Sequence, residues 1–178
     1  MKKNTTSILQ MLLLICFMLT VNSAYSFSLK PLSKHKKDSS SCLEINGRVI
    51  MDAKQIKGTY KAELIYFDKV MDSAIVKGDK SFTFELKRNM PYFIRISKAG
   101  YVARLICVNT NVNETENSDT LFTFSVETEL IEVSKAMRLN NEALELPVDI
   151  ISFDKETGRF NNNEDYALFV KNRIYDGM

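Results

Sequence analysis

The chain carries a single histidine, His35, among 178 residues, and it lies in a basic, serine-rich stretch with no apolar periodicity. The commonest general base and metal ligand is therefore missing from the part of the chain that can build a core. Three cysteines occur, Cys16, Cys42 and Cys107, without the paired Cys or His neighbours of a zinc site. Neither a Gly-x-Ser-x-Gly nucleophile turn nor a glycine-rich phosphate loop is present. Carboxylates are abundant, yet Glu127 and Glu129 alternate with apolar residues, the pattern of a solvated strand face. The segment Asp154-Lys155-Glu156-Thr157-Gly158 approaches a calcium loop. Its glycine comes one place early and no bidentate glutamate follows at the required distance, so a hairpin turn is the better reading. These residues predict a chain that is not an enzyme, with no catalytic residue, no cofactor and no metal ligand.

Two kinds of covalent chemistry stay open. Cys42 and Cys107 are far from the N-terminal apolar run and either pair or remain buried thiols; a bridge would close 65 residues of chain and stabilise by about 4 kcal/mol on chain-entropy reasoning. Asp72-Ser73-Ala74 and Asp119-Thr120-Leu121 match an acceptor pattern for O-glycosylation on exported proteins of some Gram-negative bacteria, which marks Ser73 and Thr120. Asn113-Glu114-Thr115 is a formal N-glycosylation sequon, relevant in a host that uses it.

Export is expected from the N-terminus. Lys2 and Lys3 precede an apolar run over 8–21, broken only by Gln10 and Thr20, and Ala24-Tyr25-Ser26 offers small residues where a signal peptidase reads. A run of about 14 residues is short for a membrane span, which needs about 20. Cys16 follows bulky Ile15 inside the run, which disfavours a lipidated cysteine. We therefore read 1–26 as a signal peptide and place the remainder in the periplasm or cell envelope. Without Lys2 and Lys3 the bases number 22 against 22 acids. That balance argues against a polycationic nucleic-acid binder. With 45% hydrophobic and 10% aromatic residues, the chain also has enough apolar surface to fold. The charge is unevenly distributed: residues 27–108 hold sixteen bases and eight acids, residues 109–178 six and fourteen. Either later strands lie against earlier ones, or the surface is bipolar and steers a charged partner.

The elements follow from periodicity. Residues 27–41, with Lys30, Lys34, Lys36, Lys37 and Ser39-Ser40-Ser41, read as a flexible leader. From Leu43 the period is two. Leu43, Ile45 and Val49 mark a first strand; Ala62, Leu64 and Tyr66 a second; Ile75 and Val76 a short third. Phe82, Phe84 and Leu86 mark a fourth, and Tyr92, Ile94 and Ile96 a fifth. Residues 102–108 make a sixth, and Phe122, Phe124, Val126, Thr128 and Leu130 a seventh. Beyond them, Val148, Ile150, Ile151 and Phe153 lead through Gly158 to Phe160 as a hairpin. Asn161-Asn162-Asn163 then caps a helix of about 12 residues, with Glu164 and Asp165 at its positive end. Tyr166, Phe169, Val170 and Ile174 share one face of this helix. So short a helix must dock, either on its own domain or on a partner.

Asn46-Gly47-Arg48-Val49, then 78–86 with Phe82 and Phe84, then Tyr92-Phe93-Ile94-Arg95-Ile96-Ser97-Lys98-Ala99-Gly100-Tyr101 resemble the carboxypeptidase regulatory-like domain family. The resemblance covers roughly 43–130. It implies an all-β, seven-stranded antiparallel sandwich of the transthyretin (prealbumin) type over 42–131, followed by a C-terminal extension over 132–178 with a β-hairpin and short α-helix. The rest of the chain is similar to a subgroup of Gram-negative envelope proteins. Members of the family are accessory modules without catalytic residues, so no active site carries over, and fold analogy alone does not give function.

The expected function is that of an exported, non-catalytic module that docks another cell-envelope protein through a sheet edge or the Tyr166/Phe169/Val170/Ile174 helix face. The alternative is a carbohydrate-binding module using Tyr60, Tyr66, Tyr92 and Tyr101, weakened by the lack of tryptophan. Neither reading involves nucleic acid or a membrane-spanning segment in the mature chain.

Overall fold

Along Ser81–Lys87 the side chains of Phe82, Phe84 and Leu86 are buried while Ser81, Thr83 and Lys87 are exposed, and along Pro91–Ser97 the same alternation buries Tyr92, Ile94 and Ile96. Strands with one apolar face must pair that face with another layer. The computed structural model, which describes residues 41–50, 58–112 and 120–176, shows how they do so. The signal segment with Cys16, the leader up to residue 40 with His35, the sequon at Asn113 and Asp119 lie outside the described residues.

Among the described residues nine strands are present: β1 (Ser41–Ile50), β2 (Thr59–Tyr66), β3 (Lys69–Lys77), β4 (Ser81–Lys87), β5 (Pro91–Ser97), β6 (Arg104–Asn109), β7 (Phe122–Glu129), β8 (Asp149–Asp154) and β9 (Arg159–Asn162). They form a three-stranded sheet in the order β4-β1-β7 and a six-stranded sheet in the order β3-β2-β5-β6-β8-β9. One core lies between the sheets, built from Leu43, Ile45 and Phe84 on one side and Leu64, Ile94, Ile106 and Ile151 on the other.

The molecule is thus a mostly β sandwich, but the expected seven-stranded antiparallel arrangement is corrected in two respects. The hairpin strands β8 and β9 extend the larger sheet. In addition, β7 runs parallel to β1 and β8 runs parallel to β6. Parallel neighbours need a long crossover, and the chain supplies one each time: β2 to β6 separate β1 from β7, and β7 with the helical segment separates β6 from β8.

Aromatic side chains close the layers at two places. Gly47 stands opposite Phe82 in the β1–β4 ladder, and the Phe82 ring lies where a Cβ on Gly47 would stand. The glycine is therefore the seat of an aromatic plug rather than a turn residue. On the far side, Phe122, Phe153 and Phe160 form a triangle with ring centroids 5.4 to 5.5 Å apart, joining β7 to the β8–β9 hairpin. The exposed Arg48–Glu127 ion pair bridges β1 and β7, so the basic first part of the chain does lie against the acidic second part. An exposed pair of this kind adds little stability.

Among the described residues there are also three helices, α1 (Val133–Ala136), α2 (Asn141–Leu144) and α3 (Glu164–Tyr175). Asn163 caps α3, its Oδ1 accepting from Tyr166 N at 3.0 Å, and Asn140 caps α2 likewise at 3.2 Å. Ile131, Ala136, Ala143, Leu144, Val170 and Ile174 form a second, smaller core. The terminal helix therefore docks on its own domain.

Candidate functional site

Among the described residues strand β3 ends the larger sheet, with a ladder on one backbone edge and none on the other. Phe67 and Asp68, both with positive φ (42° and 61°), turn the chain tightly from β2 into it, as a two-residue hairpin requires. Of its nine residues only Val76 is buried. Val70 is 49% exposed, Met71 59% and Ile75 71%, an unusual apolar content for an edge in water. Lys69 and Lys77 stand at its two ends and Asp72 at its middle.

The outer face of the larger sheet continues this surface. Ile65, Phe93 and Leu105, from β2, β5 and β6, form the floor of a groove of about 880 Å³, and Val133, Met137 and Leu144 from the α1–α2 segment form its wall. Asp68 of the β2–β3 turn also lines it, so the groove and the free edge meet at one end of β3. On the same face Glu63 is 5% exposed and receives Lys61 Nζ at 2.5 Å and Arg95 Nη2 at 2.8 Å.

The hydrogen bond from Lys61, opposed in part by burial and reinforced by Arg95, holds the Glu63 carboxyl below its ordinary 4.5. A depressed folded-state value means that the stability Glu63 contributes is fully present above the ordinary value and is lost as pH falls through the folded one. Chemical denaturation of Glu63→Gln at neutral pH should show a loss of about 1 kcal/mol, because Lys61 and Arg95 are half exposed and rehydrate. Below pH 4 the difference from the native chain should shrink.

The remaining candidate residues fall into distinct places. Cys42 is buried in the main core, whereas Cys107 alternates with the inward-facing Ile106 and Val108 and so lies on the outer face of its sheet. Both are free thiols, and burial pushes both thiols up, away from the thiolate form that reacts. Ser73, exposed in the middle of β3, stands opposite Glu63 in the ladder; Thr120 is also exposed. The helix residues divide: Val170 and Ile174 are 1% and 3% exposed and belong to the second core, Tyr166 packs against it, and only Phe169 among the four points to solvent, beside Leu168.

The tyrosines do not form a surface row. Tyr60 and Tyr92 are buried, Tyr66 and Tyr101 pack against the core, and the Tyr60 hydroxyl donates to Lys80 O at 2.6 Å. Asp154 organises the β8–β9 turn, its Oδ1 accepting from Glu156 N at 2.8 Å and its Oδ2 from Thr157 Oγ1 at 2.7 Å. Thr157, then Glu156 N–H, hold this carboxyl below its usual value. Among the described residues no group of three or more His, Cys, Asp or Glu side chains is placed to hold a metal, and no helix is long and apolar enough to cross a membrane.

What the sequence reading missed is two ionisable residues in the inward phase of their strands, Arg104 on β6 and Asp149 on β8. The signal was the phase: Arg104 falls in step with Ile106 and Val108, where alternation reserves a place for an apolar side chain. No family model matches this chain, and no curated protein is significantly similar to it.

Proposed function

We propose that this chain is an exported, non-catalytic module of the carboxypeptidase regulatory-like, transthyretin-like kind, which docks a second cell-envelope protein by receiving an extended segment of it along β3. The observation that carries this reading is the free nine-residue edge with Val70, Met71 and Ile75 exposed upon it. Strand addition satisfies a free ladder with backbone hydrogen bonds and reads alternate side chains of the partner on each face. The side chains of such a strand would lie beside exposed Val70, Met71 and Ile75 of β3, which supply the apolar contact that backbone bonding alone lacks.

The opposite edge of the larger sheet and the terminal helix serve this purpose less well. Strand β9 has four residues and is sealed to β7 by the phenylalanine triangle. The helix face is largely used up by the second core. Of the tyrosines the carbohydrate reading would use, Tyr60 and Tyr92 are buried and Tyr66 and Tyr101 are partly buried against the core, so they form no exposed row and docking is the reading carried forward.

Met71→Lys combined with Ile75→Lys tests it. Both side chains are more than half exposed, so the double variant should melt within a few degrees of the native chain. Capture of the envelope partner after crosslinking in intact cells should fall about tenfold or more, the loss of a modest apolar hot spot. Undiminished capture by a folded double variant would count against β3 as the docking edge.

A further inference from the structure

Three strands carry a polar residue where their alternation calls for an apolar one, all at the end of the sandwich that α3 covers. Arg104 is in phase with Ile106 and Val108 on β6, Thr128 with Val126 and Leu130 at the end of β7, and Asp149 with Ile151 on β8. Arg104 and Thr128 are each 4% exposed. Arg104 Nε and Nη1 and Thr128 Oγ1 are buried and make no hydrogen bond within the protein. Burying a guanidinium with unmet donors is costly, and a well-packed sandwich gains nothing by it. Such a group is intelligible as half of a recognition site whose other half is a ligand.

Both residues line a cavity of about 270 Å³ closed over by Val170, Ile174 and Tyr175 of α3. The volume lies just below the roughly 300–1,000 Å³ of pockets for drug-sized molecules, so the ligand is small. Exposed Glu127, Glu129 and Lys171 stand at its rim, which gives access from solvent. The charges decide the ligand's character. Glu127 is engaged by Arg48, leaving Arg104 and Lys171 against Glu129 and Asp149. A site with two charges of each sign does not favour a dianion such as phosphate, which would face both acids. It complements a molecule carrying both signs.

We propose that this cavity binds a small zwitterion of amino-acid type, with its carboxylate on the Arg104 guanidinium and Thr128 hydroxyl and its ammonium toward Asp149 and Glu129. The planar guanidinium offers the fork geometry a carboxylate accepts. Burial is the largest influence on both groups, lowering the Arg104 pKa against Tyr175 and Glu129 and raising that of Asp149 against hydrogen bonds from Ile150 N–H and Asn162, as desolvation of charged groups does.

Titration of the purified chain by two-dimensional amide NMR separates the contributions, using L-alanine, acetate, methylamine and inorganic phosphate as probes. L-alanine should move the amides of Arg104, Thr128 and Asp149 saturably, acetate should bind at least about tenfold more weakly, and methylamine alone should not bind. Thr128→Val preserves shape and should weaken L-alanine about threefold to tenfold, the loss of one hydrogen bond. Arg104→Met should abolish binding; should that variant fail to fold, Thr128→Val still reads the site. No saturable shift with L-alanine, tighter binding of phosphate than of L-alanine, or shifts indifferent to Thr128→Val would each overturn the proposal.

Discussion

A chain ending at Asn163 is expected to lose its cooperative thermal transition or to melt more than 10 °C below the native protein. Helix α3 contributes Val170 and Ile174, both nearly inaccessible, to the second core with Ile131, Ala136, Ala143 and Leu144. Ile174 O also accepts from Asn140 N at 3.2 Å, fastening the helix end to the α2 cap. Truncating one buried aliphatic side chain in such a core costs about 2–5 kcal/mol. Removing the whole helix takes both and opens the Arg104 end of the sandwich to water. That is comparable with the entire stability of an ordinary domain, about 5–15 kcal/mol. Calorimetry of the shortened chain decides: a transition within a few degrees of the native one would show α3 to be an appendage, available to a partner after all.

Phe160→Ala should be the most damaging single substitution at the sandwich's rim, costing about 3–5 kcal/mol and lowering the melting temperature by about 10 °C. Strand β9 has only four residues, too few for its ladder to hold it. Its place depends on Phe160, 5% exposed, packed edge-on against Phe122 and Phe153. Phe160→Leu should recover most of the loss, because it refills the volume without the ring contacts. A melting temperature unchanged by Phe160→Ala would mean that the triangle does not fasten the hairpin to β7.

The parts of this fold that alternate strongly were legible in the sequence. Phe82, Phe84 and Leu86, then Tyr92, Ile94 and Ile96, lie in the core as their period of two requires, and the Asn163 cap begins the terminal helix where expected. Strand β3 was underestimated, as a short piece around Ile75 and Val76. An edge strand with solvent on most sides has no need of an apolar period, so Lys69 to Asp72 gave no signal. Helices α1 and α2 have four residues each, barely one turn, below the length at which a helical period can be recognised.

Parallel pairing of β1 with β7 and β6 with β8 was illegible for a different reason. Alternation tells which face of a strand is buried and is silent about its neighbours. The tyrosines show the opposite situation. Tyr92 shares the phase of Ile94 and Ile96 and Tyr66 that of Leu64, so their period already placed them inside. The proposed docking edge was legible only as a category, a sheet edge. Choosing β3 needed the strand order, and the Arg104–Thr128–Asp149 cavity needed three strands brought to one end.

The central claim is that β3 is where another chain lies. A photoreactive residue in place of Ile75, compared in intact cells with one in place of exposed Glu156 on the β8–β9 turn, tests it most directly. The account predicts a discrete heavier adduct with one envelope protein from position 75, suppressed by Met71→Lys, and none from position 156. No adduct from position 75, or the same adducts from both positions, would contradict it.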